Sequence, residues 1–104
     1  MAKTFKTVAR LDELNEGEGI CTYADAKMIA LFKVDGEIFA TDNLCPHQGG
    51  PLADGFVHKG KVVCPLHGWA FDLRTGATTD GASIPVAVYE VKVEGDEVQV
   101  GIEQ

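Results

Sequence analysis

The stretch KMIALFKV-DG-EIFATD, residues 27–42, sets two apolar, strand-forming runs on either side of Asp35-Gly36. That dipeptide between such runs is the strongest short-range hairpin signal, because both central residues of a type I′ turn need positive φ. The pattern recurs along the chain. GFVH and KVVC flank Lys59-Gly60, and VAVYEVKV (86–93) turns through Glu94-Gly95-Asp96 into EVQVGI (97–102). Within VAVYEVKV, Val86, Val88, Glu90 and Lys92 alternate with Ala87, Tyr89, Val91 and Val93, the period of one strand. GICTY reads as a further strand, with Cys21 as a small buried hydrophobe. Only LDELNEG (11–17) offers a helical turn. Short strands with regular tight turns leave an all-β chain, an antiparallel sandwich or barrel.

At 104 residues the chain is long enough for one domain, residues 1–104, and too short for two. No apolar run approaches the roughly 18 residues of a membrane span, and MAKTFKTVARLDEL lacks the apolar core of a signal peptide. A cytoplasmic protein with no membrane partner is expected. The net charge of −7 argues against nucleic acid, whose phosphates need basic surface, and favours steering towards a basic partner. The acids are clustered. LDELNEGEG (11–19) and YEVKVEGDEVQVGIEQ (89–104) hold most of them, whereas between Cys45 and Phe71 the only formal charges are Asp54, Lys59 and Lys61. A nearly neutral region inside an acidic chain suits a dry site presented to a partner.

That region carries the chemistry. CPHQGGPLADGFVHKGKVVCPLHGW (45–69) holds Cys45 and His47 one residue apart, then Cys64 and His67 two apart. Three cysteines are too few for a disulfide framework, and in a reducing compartment such residues are metal ligands or core. Thiolate and imidazole both suit iron and zinc. Pro46 and Pro65 restrict the chain after each cysteine, and Gly49, Gly50 and Gly68 allow close approach of backbone to an inorganic group. Two metal sites compete. Zinc would gather all four residues into one tetrahedron, whereas a two-iron, two-sulfur cluster would divide them between two irons. Zinc sites usually pair cysteine with cysteine and histidine with histidine; here each loop supplies one sulfur and one nitrogen.

CPHQGG and CPLHGW resemble the two boxes of the Rieske iron–sulfur family, and VDGEIFATDNLCPH, FDLRTG and SIPV resemble stretches of small Rieske ferredoxins. The resemblance covers nearly the whole chain. It implies a Rieske fold, an antiparallel β-sandwich with a cluster-binding subdomain at about 43–78. It further implies one [2Fe–2S] cluster, with Cys45 and Cys64 on one iron and His47 and His67 on the other through Nδ1, their far edges towards solvent.

The departures from the wider family carry expectations of their own. Gly50 and Leu66 stand where cytochrome bc Rieske proteins place a disulfide, so no such clamp forms. Trp69 and Phe71 replace the serine and tyrosine whose hydroxyls raise the potential in those proteins. The expected potential is therefore at the low end of the Rieske range, roughly −150 mV upward to +300 mV. Gln48, Leu66, Trp69 and Pro85 are candidates for the rim of the site or for docking, with Pro46 and Leu52 able to extend an apolar apron. For Trp69 and Leu52 the competing reading is core packing. His58, beside the Lys59-Gly60 turn, is expected to face solvent, which leaves no residues for a mononuclear oxygen-activating iron. FDLRTG is expected to form a turn with internal hydrogen bonds. The family thus implies a soluble ferredoxin, without a catalytic centre, taking single electrons from a flavin-dependent NAD(P)H reductase to a terminal, ring-hydroxylating oxygenase. CPHQGGPLADG and CPLHGWAFDLRTG are also similar to the small subunit of assimilatory nitrite reductase, whose large subunit would then be the partner. A structural zinc module is the third alternative.

Overall fold

The computed structural model describes residues 3–44, 51–65, 70–78 and 85–103. Among the described residues ten strands run in chain order: β1 Lys3–Arg10, β2 Gly19–Ala24, β3 Lys27–Val34, β4 Glu37–Asp42, β5 Phe56–His58, β6 Lys61–Val63, β7 Ala70–Asp72, β8 Val88–Tyr89, β9 Val91–Glu94 and β10 Glu97–Glu103. They form three antiparallel sheets, ordered β1-β10-β9, β2-β3-β4-β8 and β5-β6-β7. Gln48, Leu66 and Trp69 lie outside the described residues, as do Cys45, Pro46, His47 and His67.

β3 explains the layering. Alternate side chains of a strand face opposite ways, and here both faces are covered. Ile29 and Leu31 join Val98, Val100 and Ile102 in one core between the first two sheets. Ala30 and Phe32 join Leu52, Val62, Cys64, Phe71 and Leu73 in a second core under the small third sheet. Ile29, Leu31 and Phe32 are each 0% exposed. Full burial of one such side chain contributes about 1.5–3 kcal/mol, so this strand welds the third sheet to the other two.

The expected hairpins form where the turn residues stand. Asp35 and Gly36 adopt φ of 53° and 79°, and Lys59 and Gly60 adopt 53° and 77°, the signs of type I′ turns. Glu16 supports the first turn, its carboxylate accepting from the backbone N–H of Asp35 and, at 3.1 Å, of Gly36.

Three expectations are corrected. VAVYEVKV is not one strand. β8 pairs with β4, β9 pairs with β10, and the chain changes sheets at Glu90. Its alternation is interrupted because each half answers to a different neighbour. The helical turn near the start is a 3-10 turn over Leu11–Glu13, and a second one, Leu52–Asp54, follows Pro51. Cys21 is exposed, not buried. It lies on β2, an edge strand, paired with Ala30 of β3, and the core that covers Ala30 completely does not extend over Cys21.

Candidate metal centre

The segments 45–50 and 66–69 each spring from a base closed by main-chain pairing. At the first, Leu44 bridges Pro51 and the Leu52 N–H donates to the Asn43 carbonyl at 2.6 Å. At the second, Val63 pairs with Ala70 across β6 and β7. The bases are neighbours. Gly55 ends the 3-10 turn that follows the first, and a Cβ placed there would lie 2.1 Å from the Val63 carbonyl oxygen. Only glycine allows that approach. A third segment, 79–84, leaves the same sheet end, since Thr78 bridges Phe71 on β7 and the Val86 N–H returns to the Gly76 carbonyl at 2.9 Å. Pro85, which closes that segment, is exposed.

Cys64 sits at the end of β6, 2% exposed, in the core with Val62, Phe71 and Leu52. A sulfur held in apolar surroundings beside two adjacent loop bases fits an iron–sulfur group better than a surface cation, and the soft donor set agrees. Leu52 is 0% exposed, so core packing, and not the apolar apron, accounts for it. Leu44, 50% exposed at the foot of the first segment, was not singled out by sequence, although its place beside Cys45 was a usable signal.

Cys21 lies on β2, outside the two loop segments. Partial desolvation, and secondarily the charge of Asp54, pushes its thiol pKa up, which favours the neutral thiol over the thiolate that a metal needs. His58 is exposed, as expected. FDLRTG makes the expected turn: the Asp72 carboxylate accepts from the N–H groups of Arg74 at 2.8 Å and Thr75 at 3.2 Å. Sequence reasoning missed what Arg74 does beyond the turn. Its guanidinium grips Glu37 through two bonds, at 2.8 and 3.0 Å, and lies 5.1 Å from the centroid of Phe39. This pair lines a cleft of about 560 Å³ between the Asp35-Gly36 and Lys59-Gly60 turns. Among the described residues, none flanking the 45–50 or 66–69 segments lines that cleft.

Tyr89 and Asp42 were missed as well. The Tyr89 hydroxyl donates to the Asp42 carboxylate, tying β8 to the end of β4 just before the first segment. Burial first, then this hydrogen bond and the carboxylate charge, raise the Tyr89 pKa well above the ordinary phenol value.

The family model of the Rieske-like [2Fe-2S] domain matches residues 4–101. The chain belongs to that family. A Rieske-type chain of this kind carries one [2Fe–2S] cluster and serves electron transport. A ferredoxin component of naphthalene 1,2-dioxygenase/salicylate 5-hydroxylase systems from Ralstonia sp. is 38% identical over 104 residues, covering 99% of this chain and 100% of the relative. The ferredoxin of carbazole 1,9a-dioxygenase from Nocardioides aromaticivorans is 35% identical with a TM-score of 0.87, over 93% of this Rieske chain and 96% of that one. A candidate NADH-dependent nitrite reductase small subunit from Mycobacterium tuberculosis is 27% identical with a TM-score of 0.92, over 100% of this chain and 99% of its own. The backbone therefore serves both kinds of relative, and shape alone does not separate them. No helix among the described residues is long and apolar enough to cross a membrane.

Proposed function

We propose that this protein is the ferredoxin component of a ring-hydroxylating oxygenase system, accepting single electrons from a flavoprotein reductase and delivering them to the terminal oxygenase. The observation that carries this reading is the 38% identity across the full length of a dioxygenase ferredoxin; among solved structures the carbazole dioxygenase ferredoxin is 35% identical, against 27% for the nitrite reductase subunit. We place the carrier in the cytoplasm, read residues 1–104 as one Rieske domain with its cluster-binding part at about 43–78, and assign it no catalytic centre of its own. The ligands in this reading are Cys45 and Cys64 on one iron, His47 and His67 on the other. The cluster supplies a one-electron store whose charge changes by one unit. The protein supplies the rest. Buried Cys64 anchors one end, the closed bases fix where the loops emerge, and the exposed edge around Leu44 and Pro85 meets a partner.

Two measurements test the reading. Dithionite-reduced protein should give an EPR signal with an average g value below that of an all-cysteine two-iron cluster. Zinc without iron and sulfide, in material made under iron-replete anaerobic conditions, would remove the carrier role. Affinity capture should then bring down a flavoprotein and an oxygenase; a sirohaem protein in their place would favour the nitrite reductase reading.

A further inference from the structure

Asn43 is 3% exposed and, with Thr41, one of two buried polar residues among those described. Its groups are all engaged around the first loop base. The carbonyl accepts from the Leu52 N–H at 2.6 Å, and its own N–H donates to the Met28 carbonyl at 3.2 Å. The side-chain Oδ1 accepts from the Ala53 N–H at 2.9 Å, while Nδ2 lies 3.1 Å from the Met28 sulfur. The orientation of the amide is determined by its partners: Ala53 N–H is a donor and must meet oxygen, which turns the NH2 group to the weak acceptor sulfur.

One residue therefore grips both sides of the 45–50 segment and fastens them to β3. The main-chain bonds do not involve the side chain. The bond from Oδ1 to the Ala53 N–H depends on the side chain, and without it that buried donor loses its partner, so the 3-10 turn has to shift. Resting on the ligand assignment above, we infer that Asn43 is a positioning residue for the cluster: its side chain holds the strand exit that carries Cys45 and His47 against the Leu52–Asp54 turn, and so sets how that pair is presented to the metal. Asn43 stands two residues before Cys45 and does not itself touch the metal.

The test compares three variants of the iron-loaded protein: Asn43→Ala, Asn43→Asp, which keeps an acceptor for Ala53, and Val98→Ala, which opens the other core. Iron release to a chelator and the g values of the reduced protein are the readouts. Asn43→Ala should release iron at least about tenfold faster than the parent with shifted g values, while Val98→Ala and Asn43→Asp stay within about tenfold. Release and g values in Asn43→Ala that match those of Val98→Ala would overturn the inference. Should Asn43→Ala take up no iron, its circular dichroism decides: a folded β spectrum beside normal loading of Val98→Ala supports the role, and an unfolded chain overturns it in favour of a purely structural one. A parent protein without iron and sulfide would sink the ligand assignment as well, which separates the two failures.

Discussion

Tyr89 and Asp42 show how a single polar contact serves a short strand. β8 pairs with β4 at two positions, Ala40 with Tyr89 and Thr41 with Val88, the Asp42 N–H donates to the Ala87 carbonyl at 2.9 Å, and the phenol-to-carboxylate bond adds a side-chain tie. Tyr89→Phe keeps the ring under Lys27 and removes the tie. It should lower stability by about 1 kcal/mol at neutral pH, a half-buried hydrogen bond to a charged acceptor being worth less than a buried one. A pH dependence follows from the raised phenol pKa. An unfolded tyrosine ionises near pH 10, while the folded one keeps its proton further up. The stabilisation from this group is therefore whole below about pH 10 and declines as pH climbs towards the folded value. Urea unfolding of parent and Tyr89→Phe at pH 7 and about pH 11 should show the gap narrowing at the higher pH. A constant gap would contradict the assignment.

At the scale of elements, two glycines separate conformational need from spatial need. Gly36 has φ of 79° with nothing near its missing side chain, whereas Gly55 has ordinary backbone angles and the Val63 carbonyl against it. Gly36→Ala should cost about 1 kcal/mol and leave iron uptake unchanged. Gly55→Ala must push the two loop bases apart, costing about 1–3 kcal/mol and lowering iron content per chain. Calorimetry with iron assay checks both, and equal iron content in the two variants would count against adjacent bases. Legibility followed the same division. The Asp35-Gly36 and Lys59-Gly60 turns were readable because turn chemistry is local. β1 had no such signal, because a bulge between Thr7 and Ala9 breaks its alternation. The change of sheets at Glu90 and the exposure of Cys21 were hidden for another reason: strand periodicity reports two faces but not which neighbour covers them. The four candidate ligands stand out in the sequence through the two paired boxes, with Cys45, His47 and His67 outside the described residues, whereas Asn43, Tyr89 and Arg74 act through partners 10 to 47 positions away, invisible to any local window.

At the scale of the molecule, charge sets how the carrier meets its partners. A net charge of −7 on 104 residues should speed encounter with a basic face, and salt should weaken that effect. Since the Debye length falls from about 30 Å at 0.01 M to 10 Å at 0.1 M ionic strength, the second-order rate of oxygenase reduction should drop by about tenfold or more across that range. Stopped-flow measurement at two salt concentrations checks this; a rate indifferent to salt would place the contact on uncharged surface alone.

The closed bases at Leu44–Pro51 and Val63–Ala70 have a consequence for the life of the protein in the cell. Main-chain pairing, which needs no metal, fastens those doorposts, so the frame is expected to stand before iron arrives and after oxidative damage strips it away. Repair would then be the refilling of a standing frame, in contrast to small domains that collapse only around their ion, and a native-like circular dichroism spectrum of iron-free protein is the expected result.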